Sequence, residues 1–460
     1  MEKYDFKNTG IPDSKVATKL PIELIMKVMQ ETDWYALMAL RKTCKFFYQI
    51  SKETMVWRSQ FHRYRAQHKY TPSLTLIAPL ETYSAAELED WISFRMSADA
   101  GWVSKSTQPT RVRNIKNHVK VSTSALIPGG RWLLVGGHDG SVVVYDLDKS
   151  TPQGKVLAQH PCIALSCIAI DIDIDSPTLA FIMALAAVYS GHMEDANIHM
   201  WAVHQVGGGE VAFLEANHLK SFSAHGVRIF HSISLRGRLF GRMSKYRVDD
   251  TIELFDWDKS SSSLRCKAVI TLHNQAALHI HVLPGNRVLV FSRSLVTIYQ
   301  AVSDIDVQTI SKTTKPPAHM DLVWQHASAS KSIVYRGPPK PLSDNTSTTL
   351  IFYDSRLFYY LVVRHDTLQL PQCDIIASYD EPFRYGALAF GSEKAFCDNG
   401  DGRVLRFEFL RKSHESATQN HRAKAFDVGV YSASEYPHHR TPRLSDLTNY
   451  LDEESGRIVQ

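Results

Sequence analysis

Cysteine is scarce: six in 460 residues, at positions 44, 162, 167, 266, 373 and 397, with no regular spacing. Such sparse thiols exclude a disulfide framework and predict a reducing compartment, cytosol or nucleus. Long apolar runs are missing too. The longest, Leu179 to Tyr189, is well short of the ~20 residues needed to cross a bilayer, so no membrane partner is expected. The opening MEKYDFKNTG carries acids and no apolar stretch, which does not fit a secretory signal. There is little excess of one charge: 52 Lys and Arg against 47 Asp and Glu leave +5. That is too weak to predict a nucleic-acid partner, because such binders concentrate cations on one face. The one local excess runs through Lys105, Arg111, Arg113, Lys116, Lys120 and Arg131, with no acid between Asp99 and Asp139. It reads as a solvated strand and linker face in preference to a phosphate or acidic-partner patch.

What is present is ordinary globular material, 44% apolar and 22% charged, enough for two or three units with cores that need no disulfide or metal. Residues 1–17 read as a flexible tail and residues 18–64 as a small helical unit. In LPIELIMKVM, Pro21 suits a first helical turn, where its missing N–H costs nothing, and Glu23 suits the positive end of the helix dipole. Leu24, Ile25, Val28 and Met29 follow at helical spacing, and Thr32 and Asp33 offer a cap for a second helix. That helix carries Trp34, Leu37, Leu40, Arg41 and Cys44. Phe46, Phe47, Tyr48 and Ile50, a break at Ser51, then Trp57 and Phe61 complete the segment. So short a stretch cannot bury all of these side chains internally, so part of the surface wants a partner.

Residues 65–110 read as a helical linker. Ser84 and Glu87 form an S-x-x-E capping box, and Leu88, Trp91 and Ile92 form an apolar face expected to pack on the next domain. Beyond residue 110 the period changes to β alternation. GGRWLLVGGHDGSVVVYDLD (129–148) is a strand, an Asp139-Gly140 hairpin turn and a return strand. GSEKAFCDNGDGRVLRFEF (391–409) repeats it around Asp401-Gly402, and ANIHMWAV (196–203) and DDTIELFDWD (249–258) resemble the return strand. GNRVLVFSRSLVTIY (285–299) and TLIFYDSRLFYYLVV (349–363) are further strand pairs. The drifting repeat predicts an all-β propeller over 111–460, of about seven blades starting near 121, 165, 227, 278, 320 and 385, with a last, incomplete one from 426. Its closure would need strands from around 111–119 or more chain. Segments 336–349 and 414–424 read as loop insertions.

The candidate chemistry is thin. GGGEVA (207–212) fits a phosphate-cradling turn, but no βαβ unit surrounds it and no acid occurs from Ala216 to Val248, so an inter-strand loop is expected. DIDIDS (171–176) imitates a calcium loop, yet Ser176 and Ile182 stand where glycine and glutamate belong; an alternating strand is expected. His279 and His281 share a strand side without a completed ligand set, and Cys162 and Cys167 lack a second pair. No nucleophile elbow, phosphate loop or kinase signature occurs. No catalytic residues, cofactor or metal are expected.

The segment TKLPIELIMKVMQETDWYALMALRKTCKFFYQISKETMVWRSQF (18–61) resembles an F-box. Its anchors Leu20-Pro21-x-Glu23-Leu24, Leu37-x-x-Leu40-Arg41-x-x-Cys44-Lys45 and Trp57 fall in family order. Ala36 departs from the pattern at a place where many members carry Asp, leaving local capping to Asp33. The resemblance implies docking on the Skp-family adaptor, and through it on a cullin, in an SCF-type ubiquitin ligase, with the rest of the chain selecting a protein substrate for ubiquitin-dependent degradation. It implies that Leu20, Pro21, Leu24, Ile25, Val28, Leu37, Leu40, Cys44 and Phe47 touch the adaptor or hold that surface in shape, while Trp57 fixes the third helix. The β region resembles a degenerate WD-repeat propeller, Tyr145-Asp146 and Phe255-Asp256 standing for Trp-Asp. The expected function is a non-catalytic substrate receptor. A scaffold that uses the box for assembly and a propeller enzyme are the alternatives.

Overall fold

The computed structural model describes residues 20–67, 79–103, 115, 120–160, 164–173, 175–176, 178–188, 195–208, 211–225, 230–246, 249–259, 266–272, 277–301, 318–328, 333–334, 342–343, 346–354, 357–378, 388–390, 394–398, 403–408, 424–430, 450–452 and 457–459. The expected tail at 1–17, the closing strands expected around 111–119 apart from Ile115, the Asp401-Gly402 turn, Cys162 and most of the two insertions lie outside the described residues. The chain divides into two units, Met1–Lys69 with Ala78–Ser97, and Tyr70–Ile77 with Ala98–Gln460. The first is small and helical, the second large and all-β. Among the described residues no helix is long and apolar enough to cross a membrane.

The helical unit holds α1 (Ile22–Glu31), α2 (Trp34–Thr43), α3 (Lys45–Ile50), α4 (Thr54–Gln67) and most of α5 (Ala85–Val103). Pro21 precedes α1 by one residue instead of entering its first turn, because its ψ of 141° is extended. Its carbonyl still accepts from the Leu24 and Ile25 amides at 3.0 and 3.2 Å. Asp33 caps α2 as expected, accepting from the Ala36 amide at 2.8 Å. The segment after Cys44 forms two helices, so Trp57 lies on α4, where it is fully buried.

Side chains of α4 then satisfy the end of α1, whose last carbonyls have no intrahelical partner. Ser59 Oγ donates to the Gln30 carbonyl at 3.0 Å, Gln60 Nε2 to the Thr32 carbonyl at 2.6 Å, and Arg63 to both carbonyls. The capping box before α5 forms reciprocally: Glu87 accepts from the Ser84 amide at 2.8 Å, and the Glu87 amide donates to Ser84 Oγ at 3.2 Å. The apolar face of α5 was expected to pack on the next domain. Its described partners lie on α4 instead: Trp91 stands edge-on to Phe61 at 5.0 Å and to Tyr64 at 5.8 Å.

The β region is a succession of antiparallel sheets, each formed by strands consecutive in sequence. The first comprises β1 (Val121–Leu126), β2 (Trp132–Gly137), β3 (Ser141–Asp146) and β4 (Lys155–Gln159). The second comprises β5 (Ala164–Ile172), β6 (Ala180–Val188), β7 (Asp195–Val206) and β8 (Phe213–His225). The third is β9 (Phe230–Arg236), β10 (Leu239–Tyr246), β11 (Asp249–Asp256) and β12 (Cys266–Leu272). The fourth is β13 (Ala277–Leu283), β14 (Arg287–Ser292), β15 (Leu295–Ala301) and β16 (Ala318–Ala327). A short parallel pairing, Ala268 with Ala318 and Val269 with His319, joins β12 to β16. The fifth sheet contains β17 (Ile333–Val334), β18 (Leu342–Ser343), β19 (Ser347–Asp354), β20 (Leu357–Arg364) and β21 (Gln372–Ser378). The sixth contains β22 (Leu388–Phe390), β23 (Lys394–Asp398), β24 (Arg403–Glu408) and β25 (Lys424–Val430), and β26 (Tyr450–Asp452) pairs with β27 (Arg457–Val459).

The sequence units around 129–148, 196–203 and 249–258 coincide with β2 and β3, β7 and β11, and each return strand is third in its sheet. Three boundaries differ. The strand near 320 closes the fourth sheet by pairing with β15 and opens no new one, residues 424–430 close the sixth, and the segment 336–349 expected as a loop contains β18 and the first residues of β19, Ser347 to Thr349. First strands adjoin one another, β1 with β5, β5 with β9 and β9 with β13, and β26 lies beside both β22 and β1. Apolar cores fill the spaces between successive sheets, as where Leu134, Val142, Met183 and Leu214 meet.

Tight turns carry the hairpins. Gly140 has φ 78°, and Asp139 Oδ1 accepts from the Ser141 amide at 3.1 Å, which is the local chemistry that makes Asp-Gly a hairpin signal.

Candidate functional site

Two apolar stripes run side by side along α1. Ile25 and Met29, one turn apart, face inward and are buried with Leu37, Val56 and Trp57. Leu24 and Val28, also one turn apart, face outward, and Leu20 continues that spacing just ahead of the helix. Leu20, Leu24 and Val28 are 58%, 53% and 57% exposed. Pro21 beside them is exposed as well. A helix packed on one side needs only one such stripe, so the second has no role in folding α1.

The expected site residues therefore separate. Leu20, Pro21, Leu24 and Val28 form an open surface. Ile25 and Leu37 are buried, at 5% and 0% exposure, and support α1 and α2 from within. Leu40, Cys44 and Phe47 are half-buried. Three further exposed side chains, Tyr35, Tyr48 and Met55, were not singled out in the sequence, where no periodic signal separates them from their buried neighbours.

Arg41 organises the inside of this unit. Its guanidinium lies over the Tyr48 ring at 5.1 Å and the Trp57 ring at 5.5 Å, and Nη1 pairs with Glu89 Oε1 of α5 at 2.6 Å. A planar cation held between rings and paired to a carboxylate ties α2 to α3, α4 and α5 at one point. The Lys52 ammonium sits 4.4 Å over the same Tyr48 ring, and its hydrogen bond to the phenol, with its charge, lowers the Tyr48 pKa from its ordinary value.

The motifs in the β region lead elsewhere. Asp171 accepts from the Gly237 amide at 2.6 Å, and Asp173 accepts from the Asp175 amide. The expected alternating strand thus ends at Ile172, and the later acids shape a turn. Gly207, with φ 75°, starts the connection between β7 and β8, as expected of an inter-strand loop. His279 is exposed, whereas His281 is buried against Phe291, its pKa pushed down to about 3 by burial and then by the charge of His279. Arg131 is in a buried fork with Asp146, at 3.2 and 2.9 Å, and stacks on Trp132. Lys120 is exposed, and the members of the basic stretch from Lys105 to Arg113, with Lys116, lie outside the described residues. Among the described residues no group of three or more His, Cys, Asp and Glu is placed to hold a metal ion.

No family model matches the chain, and no curated protein matches it. Among solved structures it is similar to a chain from the crystal structure of a mitotic checkpoint complex, at 13% identity and a TM-score of 0.36, over 65% of this chain and 77% of that one. A likeness at that score carries no argument about this chain. The reading below therefore stands on the residues.

Proposed function

We propose that the helical unit is an F-box that docks on the Skp-family adaptor of a cullin-RING ubiquitin ligase, and that the β region is a seven-bladed, WD-repeat-like propeller that holds a protein substrate. The observation that carries this reading is the outward stripe of Leu20, Leu24 and Val28 on a helix whose other stripe is already sealed. The resemblance of LPxEL and LxxLRxxC to the F-box pattern supplies the partner. Burying what remains exposed of these side chains contributes on the order of 1 kcal/mol each, a part of what a docking surface needs.

The propeller reading is supported by the succession of four-stranded meanders and by β26 lying next to both β22 and β1. In this arrangement the chain does no bond chemistry. It raises the effective concentration of substrate lysines near the ubiquitin donor.

Affinity purification of the full chain tests the proposal against a Leu20→Asp, Leu24→Asp double variant. Recovery of adaptor and cullin with the parent, and of neither with the variant, supports it. Recovery of adaptor without cullin favours the scaffold, and recovery of no adaptor overturns the F-box assignment.

A further inference from the structure

Three histidines meet around one serine where the first and second sheets adjoin. His160 follows β4, and its amide donates to the Gly140 carbonyl at 3.0 Å. Its ring stacks on His199 of β7, with centroids 3.4 Å apart and planes at 26°. His199 Nδ1 lies 2.7 Å from Ser221 Oγ of β8, and His218 Nε2 lies 2.8 Å from the same oxygen. Trp201 closes the group, edge-on to His218 at 5.0 Å. His199 is 1% exposed.

The arrangement suits neutral rings. A single hydroxyl can donate to one imidazole nitrogen and accept from an N–H of the other, which satisfies both. Two rings stacked this closely cannot both carry a charge without strong repulsion. We propose that this cluster is a pH-sensitive latch on the seam between the first and second sheets, closed while the His199 ring is neutral and released when acid protonates it.

Other ionisable groups nearby have their own partners. Lys220 of β8 directs its ammonium to the Asp258 carbonyl at 2.5 Å, and His204 of β7 faces Glu215 of β8 at 3.6 Å. Among the described residues, the charges acting on His199 come from His160, in the segment after β4, and His218, from β8. Burial, followed by the charges of those two rings, holds the His199 pKa down at about 3. With the seam open, His199 regains its ordinary value near 6.5. The open form then binds the extra proton, so its population rises by up to tenfold per pH unit below about pH 6.

Hydrogen exchange of the full chain between pH 7.5 and 5, corrected for intrinsic rates, tests the latch at residues 155–160 and 213–222. Protection there should fall by roughly tenfold per pH unit below about pH 6 in the parent. It should be nearly independent of pH in His199→Gln, which can still hydrogen-bond Ser221, and unaltered in His281→Gln. Flat protection in the parent, or a pH dependence that survives His199→Gln, overturns the proposal. If that variant does not fold, His160→Ser decides: protection of the seam already reduced at pH 7.5 supports the latch, and the parent profile overturns it.

Discussion

Arg41 of α2 and Glu89 of α5 meet at 2.6 Å with side-chain exposures of only 7% and 24%. This ion pair ties the first helices of the unit to a helix that follows them by some distance in sequence. Removing Arg41 leaves the half-buried Glu89 carboxylate without its counter-ion, which costs less than the ~3–5 kcal/mol of a fully buried pair. Arg41→Ala should therefore loosen α2, α3, α4 and α5 together, seen as faster amide exchange in all four. Arg41→Lys should recover only part of the loss, because an ammonium cannot stack as a plane between Tyr48 and Trp57.

Gly241 of β10 lies where the third sheet meets the fourth. A Cβ there would lie 2.8 Å from Val282 and 3.5 Å from Ile280 of β13. Gly241→Ala should thus force the two sheets apart locally and destabilise the β region by about 1–3 kcal/mol, read from its urea midpoint. An unchanged midpoint would show that the seam can give at no cost.

Two buried histidines contribute to the loss of stability in acid. His199 and His281 each have a folded pKa of about 3, against an unfolded value near 6.5. The unfolded chain binds more protons between these values, so stability is full above pH 6.5 and is lost as pH falls toward 3. Each histidine should contribute a loss of about 2 kcal/mol between pH 7.5 and 5. Urea denaturation at both pH values should show His281→Gln removing about half of that loss.

Much of the local structure was legible in the residues. Asp33 and the Ser84–Glu87 box act by hydrogen bonds within three residues, so sequence alone places them. Asp139-Gly140 marks its hairpin because only a left-handed backbone closes that turn. The fifth sheet was misplaced for a physical reason: an antiparallel strand reads the same whether it closes one meander or opens the next, and only its pairing with β15 decides. The outward stripe of α1 was half legible. Spacing put Leu24, Ile25, Val28 and Met29 on one apolar side, but which of the two stripes stays open depends on where α4 packs. The Arg41–Glu89 pair and the histidine cluster carry no local signal, since their members are brought together only by packing.

In the proposed function, Leu24 is exposed in order to be covered by an adaptor. Calorimetric titration of purified Skp-family adaptor into the full chain, with Leu24→Asp and Lys27→Asp compared with the parent, tests it most directly. Lys27 lies on the same helix, in an exposed pair with Glu31 at 2.9 Å, and serves as the charge control. The account predicts at least a hundredfold weaker binding for Leu24→Asp, since a carboxylate would be buried unpaired, with an unchanged melting temperature and a smaller effect from Lys27→Asp. Parent-like affinity in Leu24→Asp, or no binding by the parent, would contradict it.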